Sequence, residues 1–167
     1  MVLNPAKHYL TAENIRGITL QVPIQRQLST IRSIIPDLKR IGIVDDPTKT
    51  ADFVEEAHHE SGALGLQLLT RQVSSEKEVP AALLAILPEI EALWVLPDST
   101  VINKDSLNFL LSTALEANVP IIGFSQGLVR SGTLLSFYIK HEDVGRQAAQ
   151  VAKKILNGKG LPSHPPA

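Results

Sequence analysis

The sequence predicts an α/β domain, built as a doubly wound parallel sheet of about five strands within a three-layer α/β/α arrangement. Five short apolar runs, near residues 41, 67, 93, 120 and 133, are bounded by Pro, Gly or polar residues, which is typical of buried strands. Amphipathic stretches separate these runs, and parallel strands need a crossover connection of this kind. The alternation of strand and helix therefore favours a parallel sheet covered by helices on both faces.

The first half of the chain shows these elements after a lead-in, residues 1–23, that contains a candidate edge strand at 17–22. A helix is predicted over 24–35, because apolar residues recur on one face and Pro36 ends the pattern. The next predicted elements are a strand at 40–44, a helix capped by Thr48 or Thr50 and ended by Gly62, and a strand at 66–73. Ser75 and Glu78 then have the form of a capping box, which predicts a helix capped at Ser75. Pro80 would lie too deep in that helix, which favours a start nearer Glu78.

The second half repeats the alternation. The predicted elements are a strand at 93–96, an amphipathic helix through Leu107, Leu110, Leu111 and Ala114, a strand at 120–124, a turn at 128–132, a strand at 133–139, and a last helix that starts at Glu142 and Asp143 and ends at Asn157. We interpret residues 24–158 as a single α/β domain and residues 159–167 as a Pro-rich tail.

Composition narrows the class of function. The 167 residues suit one domain, and 44% apolar with 20% charged residues is ordinary globular composition. A formal net charge of -1 gives no reason to expect nucleic acid, and the lack of cysteine excludes disulfides and thiolate metal sites. No apolar run is long enough to insert into a membrane. The first residues lack the apolar segment of a signal peptide, so the chain is interpreted as cytoplasmic or as a mature or trimmed piece of an exported protein.

Polar side chains follow three of the predicted strands, and the carboxyl ends of parallel strands share one edge of the sheet. Ligands of open α/β sheets bind at that edge. The candidate ligand-binding residues are Asp46, Thr48, Asp98, Ser99, Thr100, Ser125 and Gln126.

Each of these groups also has a purely structural interpretation. Asp98, Ser99 and Thr100 suit the start of a helix, Asp46 before Pro47 suits a turn, and Ser125 and Gln126 suit a plain loop. Trp94 lies within a strand and is expected in the core. No glycine fingerprint, nucleophile elbow or metal-ligand spacing is visible, so we expect no enzyme, no cofactor and no metal.

The stretches WVLPDSTV and VPIIGFSQGLVRSGTLLSFYIKHEDVGRQAAQVAKKILNGK resemble the substrate-binding proteins of ABC transporters with the type I periplasmic fold. They are most similar to the branch that includes binders of aromatic amino acids. Upstream, NPAKHYLTAENIRGITLQVPIQRQLSTIRSIIPDLKRIGIVDDP resembles the part of that family that joins the first lobe to the second. The resemblance spans nearly the whole chain.

The resemblance implies a single flavodoxin-like lobe, mostly the second, that binds a small solute such as an amino acid. It also implies an extracytoplasmic location and an ABC permease as a partner. The family has two lobes, and most of the first has no counterpart in this sequence, apart from the segments at 15–20 and 143–156 that normally complete it. We therefore expect a homodimer, in which a second copy covers the exposed faces.

A receiver domain that accepts a phosphoryl group is an alternative with the same topology. Such domains need an acidic pair, an acceptor Asp, a hydroxyl and a Lys after successive strands. The sequence offers Asp45 with Asp46, then Asp98, Ser125 and Lys140 in those places, but His141 stands where the receiver pattern expects Pro. We rank this alternative second.

Overall fold

The computed structural model describes residues 20–157, except for the side chains of residues 104 and 105. The predicted tail and most of the predicted lead-in lie outside the described residues; residues 20–22, which are described, belong to no strand. The described chain divides into two compact units. One is Ile24–Phe137, and the other takes in the described residues before Ile24 and after Phe137. The proposed domain bounds of 24–158 stay a prediction.

The larger unit is built on a five-stranded parallel sheet in the order β2-β1-β3-β4-β5, which confirms the predicted fold class. The strands are β1 (Arg40–Asp45), β2 (Gln67–Gln72), β3 (Ala92–Trp94), β4 (Ile121–Gly123) and β5 (Leu135–Ser136). The chain leaves β1 towards β2 on one side and leaves β3 towards β4 on the other. The carboxyl ends of β1 and β3 therefore flank the switch point of the sheet.

Helices cover both faces of this sheet. They are α1 (Ile24–Ile34), α2 (Pro47–Ala63), α3 (Val79–Ile86), α4 (Lys104–Glu116) and the short α5 (Gln126–Arg130). One apolar cluster joins α1 and α2 to one face through Leu28, Val54 and Trp94. A second cluster joins α3 and α4 to the opposite face through Leu83, Leu93 and Leu110. These clusters make the three layers, and Trp94 is buried in the core as predicted.

Both ends of helix α2 differ from the prediction for local reasons, whereas helix α3 starts where it was predicted. Helix α2 is capped by Asp46, not by Thr48 or Thr50, because Asp46 accepts from the Thr48 amide and Pro47 starts the helix. The same helix passes Gly62, and the positive φ of 66° falls instead at Gly65. Helix α3 starts after Glu78, as Pro80 suggested, and the Glu78 carboxylate accepts from Ser74 and Ser75.

Two elements near the end of the sheet were predicted wrongly. The loop and turn expected at 125–132 contain helix α5, because the Ser125 hydroxyl accepts from the Leu128 amide and caps it. The strand expected over 133–139 is only the two residues of β5, which pair with β4 at Ile122 and Gly123.

The smaller unit contains helix α6 (His141–Leu156). Glu142 and Asp143 lie in its first turn and Lys153 and Lys154 in its last, in agreement with the helix dipole. None of its residues is buried, and Leu156 is 86% exposed. Within residues 20–157, no helix has the length and apolar character needed to cross a membrane.

Candidate functional site

The switch point between β1 and β3 is closed by hydrogen bonds between the loops that follow these strands. Asp98, after β3, is fully buried, and its Oδ2 accepts from the backbone amide of Asp46 at 2.7 Å. Its Oδ1 accepts from the backbone amide of Thr100 at 2.8 Å. Both carboxylate oxygens of Asp98 are therefore used to hold backbone.

Asp46 is held in the same way by hydroxyl groups. Its Oδ1 accepts from the amide of Thr48 at 3.0 Å and from the Thr48 hydroxyl at 2.7 Å. Its Oδ2 accepts from the Thr100 hydroxyl at 2.7 Å. The hydrogen bonds from Thr48 and then Thr100 lower the pKa of Asp46, because they favour its charged form.

Lys49 completes this group, although it is not among the residues predicted from the sequence. Its Nζ donates to Ser99 Oγ at 2.8 Å and also to Thr100 Oγ1. The same nitrogen lies 3.8 Å from Asp46 Oδ2 and 3.8 Å from Asp98 Oδ1. We call Asp46, Lys49, Asp98, Ser99 and Thr100 the rim cluster. A basic residue in the first turn of α2 opposes the helix dipole, and this was the one signal that could have identified Lys49.

The remaining predicted residues lie beside the rim cluster in the order of the strands. Ser125 and Gln126 follow β4, the neighbour of β3, at the same edge of the sheet. Ser125 is half-buried as the cap of α5, and Gln126 is exposed. Within residues 20–157, neither is hydrogen-bonded to the rim cluster. The structure thus joins Asp46, Thr48, Asp98, Ser99 and Thr100 and leaves Ser125 and Gln126 as a separate pair.

Asp45 behaves differently from its neighbour Asp46. It is 1% exposed, and its Oδ2 accepts a long hydrogen bond of 3.3 Å from the Thr50 hydroxyl. Its Oδ1 is buried and has no hydrogen-bond partner among the described residues. Burial raises the pKa of Asp45, because it disfavours the charged form, and the Thr50 hydrogen bond opposes this effect only in part.

A cavity of about 380 Å³ lies between α2 and the edge strand β2, next to Asp45. Its polar lining is Asp45, Glu55, His58, Thr70 and Gln72. Across residues 20–157, no group of three or more His, Cys, Asp or Glu side chains could hold a metal ion.

These features define an open α/β domain with hydroxyl and charged groups at the switch point of its sheet. The chain matches the model of the ABC transporter substrate binding protein family over residues 6–166. Because this match covers nearly the whole chain, the protein belongs to that family.

Individual relatives agree with this membership. A tyrosine-binding protein from Clostridioides difficile (strain R20291) is 25% identical over 150 residues, which are 89% of this chain and 43% of that protein. Two solved structures share the fold. One is an ABC domain in complex with L-Trp from Streptococcus pneumoniae, with a TM-score of 0.72, 23% identity and coverage of 98% of this chain and 57% of the other.

The second structure is the ligand-free, open form of a substrate-binding protein with adhesive properties from Clostridium difficile. It has a TM-score of 0.78 and 22% identity, over 98% of this chain and 58% of the other. The chain therefore spans about half the length of the relatives it matches.

The receiver alternative loses its chemical basis at Asp98. A phosphoacceptor needs a carboxylate oxygen that solvent and phosphodonor can reach. Asp98 has no exposed side-chain surface, and both of its oxygens accept from backbone amides. The family match also assigns the chain to substrate-binding proteins.

Proposed function

We propose that this chain binds a small solute, such as an amino acid, at the carboxyl ends of β1, β3 and β4, as one lobe of an ABC-importer solute-binding protein. The observation that carries this proposal is the rim cluster. It gathers hydroxyls, carboxylates and an ammonium at the switch point, which is where open α/β sheets bind ligands. Family membership supports the same conclusion.

The names of the relatives support an aromatic amino acid as the solute. One relative is a tyrosine-binding protein and another holds L-Trp. In this proposal the protein recognises the solute without chemical change. Among the seven candidate ligand-binding residues, the buried Asp46, Asp98 and Thr100 fix the loops. The exposed candidates and the half-buried Ser125 can reach a solute. The exposed residues are Thr48, Ser99 and Gln126.

Calorimetry with a panel of amino acids, including L-tyrosine and L-tryptophan, tests the proposal. We expect at least one to bind, and we expect the double variant Ser99→Ala with Gln126→Ala to weaken that binding about tenfold or more. Ser33→Ala, an exposed serine on α1, is the matched control and should bind as the wild type does. Absence of binding by every amino acid, or equal binding by the double variant, would reject the proposal.

A second copy of the chain is proposed as the opposing wall of the binding cleft. A solute held on one lobe stays open to water, and closure by a partner removes that exposure. The uncovered apolar residues Ile155 and Leu156 of α6, which are 51% and 86% exposed, support an interface between copies. Light scattering at roughly tens of micromolar, where contacts of moderate affinity are populated, should give twice the monomer mass. A monomer mass throughout would exclude the homodimer.

Delivery of the solute to an ABC permease outside the cytoplasm completes the proposal, since the family serves such importers. Reconstituted permease in vesicles provides the test. The chain should stimulate ATP hydrolysis by the importer only when the solute is present, and stimulation without solute would contradict a solute-delivery role.

A further inference from the structure

We infer that Lys49 binds the carboxylate of the solute, so that the site selects compounds with a carboxylate and rejects amines that lack one. This inference rests on the proposed function, because it concerns the same edge of the sheet. In this inference Lys49, which the sequence patterns did not predict as a site residue, determines the preference of the site for an anionic group of the solute.

The two carboxylates of the rim cluster are not available to a cationic group. Asp98 has 0% side-chain exposure and Asp46 has 8%. All four of their oxygens accept hydrogen bonds from amides or hydroxyls of the same loops. Because both side chains are buried, a solute ammonium could reach these oxygens only if the loops that hold them moved apart, and each buried donor left without a partner would cost free energy.

Lys49 is the charged member of the rim cluster that solvent can reach, with 40% of its side chain exposed. Its ammonium has three N–H donors, and two of them are directed to Ser99 Oγ and Thr100 Oγ1. Among the described residues, no third acceptor lies within hydrogen-bond distance, since both Asp oxygens are 3.8 Å away. One N–H therefore remains for a ligand.

The surroundings also hold the ammonium in place before a ligand arrives. The hydroxyl of Thr100 donates to Asp46 and so must accept from Lys49, which fixes the direction of this contact. Carboxylate oxygens of Asp46 and Asp98 also lie 3.8 Å from the ammonium nitrogen, on the same side as these hydroxyl contacts. A side chain that is already ordered loses less entropy when it binds a carboxylate, and a charge-assisted hydrogen bond is stronger than a neutral one.

Calorimetry with three compounds that share the same 4-hydroxyphenyl ring tests this charge preference. They are L-tyrosine, 3-(4-hydroxyphenyl)propionate, which lacks the amine, and tyramine, which lacks the carboxylate. The wild type should bind the first two and not tyramine. Lys49→Met should weaken binding of both carboxylates about tenfold or more, and Lys49→Arg should restore most of it. Lys77→Met, at an exposed lysine outside the rim cluster, is the control and should change nothing.

A second measurement separates this inference from the proposed function. The protein is titrated with sodium acetate and followed by NMR, and a titration with methylammonium chloride at equal ionic strength serves as the comparison. Acetate should shift the amide signals of Ser99 and Thr100 in the wild type but not in Lys49→Met. If acetate shifts these signals but none of the three ring compounds binds, an aromatic amino acid is rejected as the solute and the role of Lys49 is kept. Equal carboxylate binding by wild type and Lys49→Met, tighter binding of tyramine, or no acetate shift would overturn that role.

Discussion

The carboxylate of Asp98 accepts a hydrogen bond of 2.7 Å from the backbone amide of Asp46, and this bond joins the loops after the two adjacent strands β1 and β3. The residues are 52 positions apart in sequence. The bond is therefore a tertiary contact that fixes the geometry of the switch point. Its loss should lower the stability of the fold and disturb the candidate site.

Asp98→Asn should lower the free energy of unfolding by about 3 kcal/mol. An amide side chain offers one oxygen, so its NH₂ group would face the amide N–H of either Asp46 or Thr100. Urea unfolding followed by circular dichroism measures the change. Asp37→Asn, at an exposed loop aspartate, is the control and should stay within about 0.5 kcal/mol of the wild type. Equal loss in the two variants would contradict the special role of Asp98.

Thr100→Val should destabilise the protein by roughly 1–3 kcal/mol, because it removes a buried hydroxyl that donates to Asp46 and accepts from Lys49. Ser99→Ala is the matched variant next to it. Ser99 is exposed, and among the described residues its hydroxyl is hydrogen-bonded to Lys49 alone, so its removal should cost at most about 0.5 kcal/mol. Denaturant midpoints of the two variants give the comparison, and a larger loss for Ser99→Ala would be inconsistent with this ranking.

Asp45→Asn should raise the stability at about pH 7 by about 1 kcal/mol, since it replaces a buried group that can carry charge, and whose Oδ1 has no partner among the described residues, by a neutral one. The pKa of Asp45 is raised above the value of 3.8 that applies to an unperturbed side chain. The folded wild type therefore binds more protons than the unfolded chain between these two pKa values, and its stability falls as pH rises through that window. Below the window Asp45 is protonated in both states, so the two proteins should converge at about pH 3.

Asp46→Asn should show the opposite dependence on pH. The pKa of Asp46 is lowered below 3.8, so its charged form stabilises the fold above that pH and this contribution disappears in acid. The difference in unfolding free energy between the wild type and Asp46→Asn should therefore be largest at neutral pH. It should shrink as the pH falls through the lowered pKa of Asp46. Unfolding curves at several pH values test both aspartates, and pH dependences of the same sign would show that their assigned environments are wrong.

Gly123→Ala should cost about 1–3 kcal/mol, because a Cβ would lie 2.5 Å from Ser136 Oγ and 2.9 Å from Leu128 Cδ1. Gly62→Ala is the matched control on helix α2. Among the described residues, no atom apart from its chain neighbours and the backbone of its own helix lies within 4 Å of the new Cβ, and alanine favours helix, so a gain of about 0.5 kcal/mol is expected. Thermal unfolding compares the pair, and similar effects at both positions would argue against close packing at the end of β4.

The fold was predictable from the sequence because apolar runs and helical periodicity mark buried strands and long helices directly. Strand β1 and helix α1 follow these patterns almost to the residue. Helix α5 has only five residues, too few for periodicity, and depends on a single cap at Ser125. Strand β5 depends on pairing with β4, so its two residues could not be distinguished from the apolar residues that follow.

The candidate site was predictable only in part. The rule that loops after parallel strands share one edge correctly brought Asp46 and Asp98 together. It could not show that their oxygens would be used to hold backbone, because that depends on distances between distant loops. Lys49 was missed for the same reason: its partners Ser99 and Thr100 are about fifty positions away. Its place in the first turn of α2 is an unusual local feature, but it does not indicate which residues it contacts.

Trp94, the single tryptophan of the chain, gives the protein an intrinsic fluorophore in a useful place. The residue is 1% exposed, and its ring lies edge-on to Phe53, with 5.1 Å between the ring centres. Emission should therefore be blue-shifted in the native state and move to longer wavelength on denaturation. Since Trp94 ends β3 and the loop to Asp98 follows it, quenching or a spectral shift on adding a solute would report on the sheet without any attached dye.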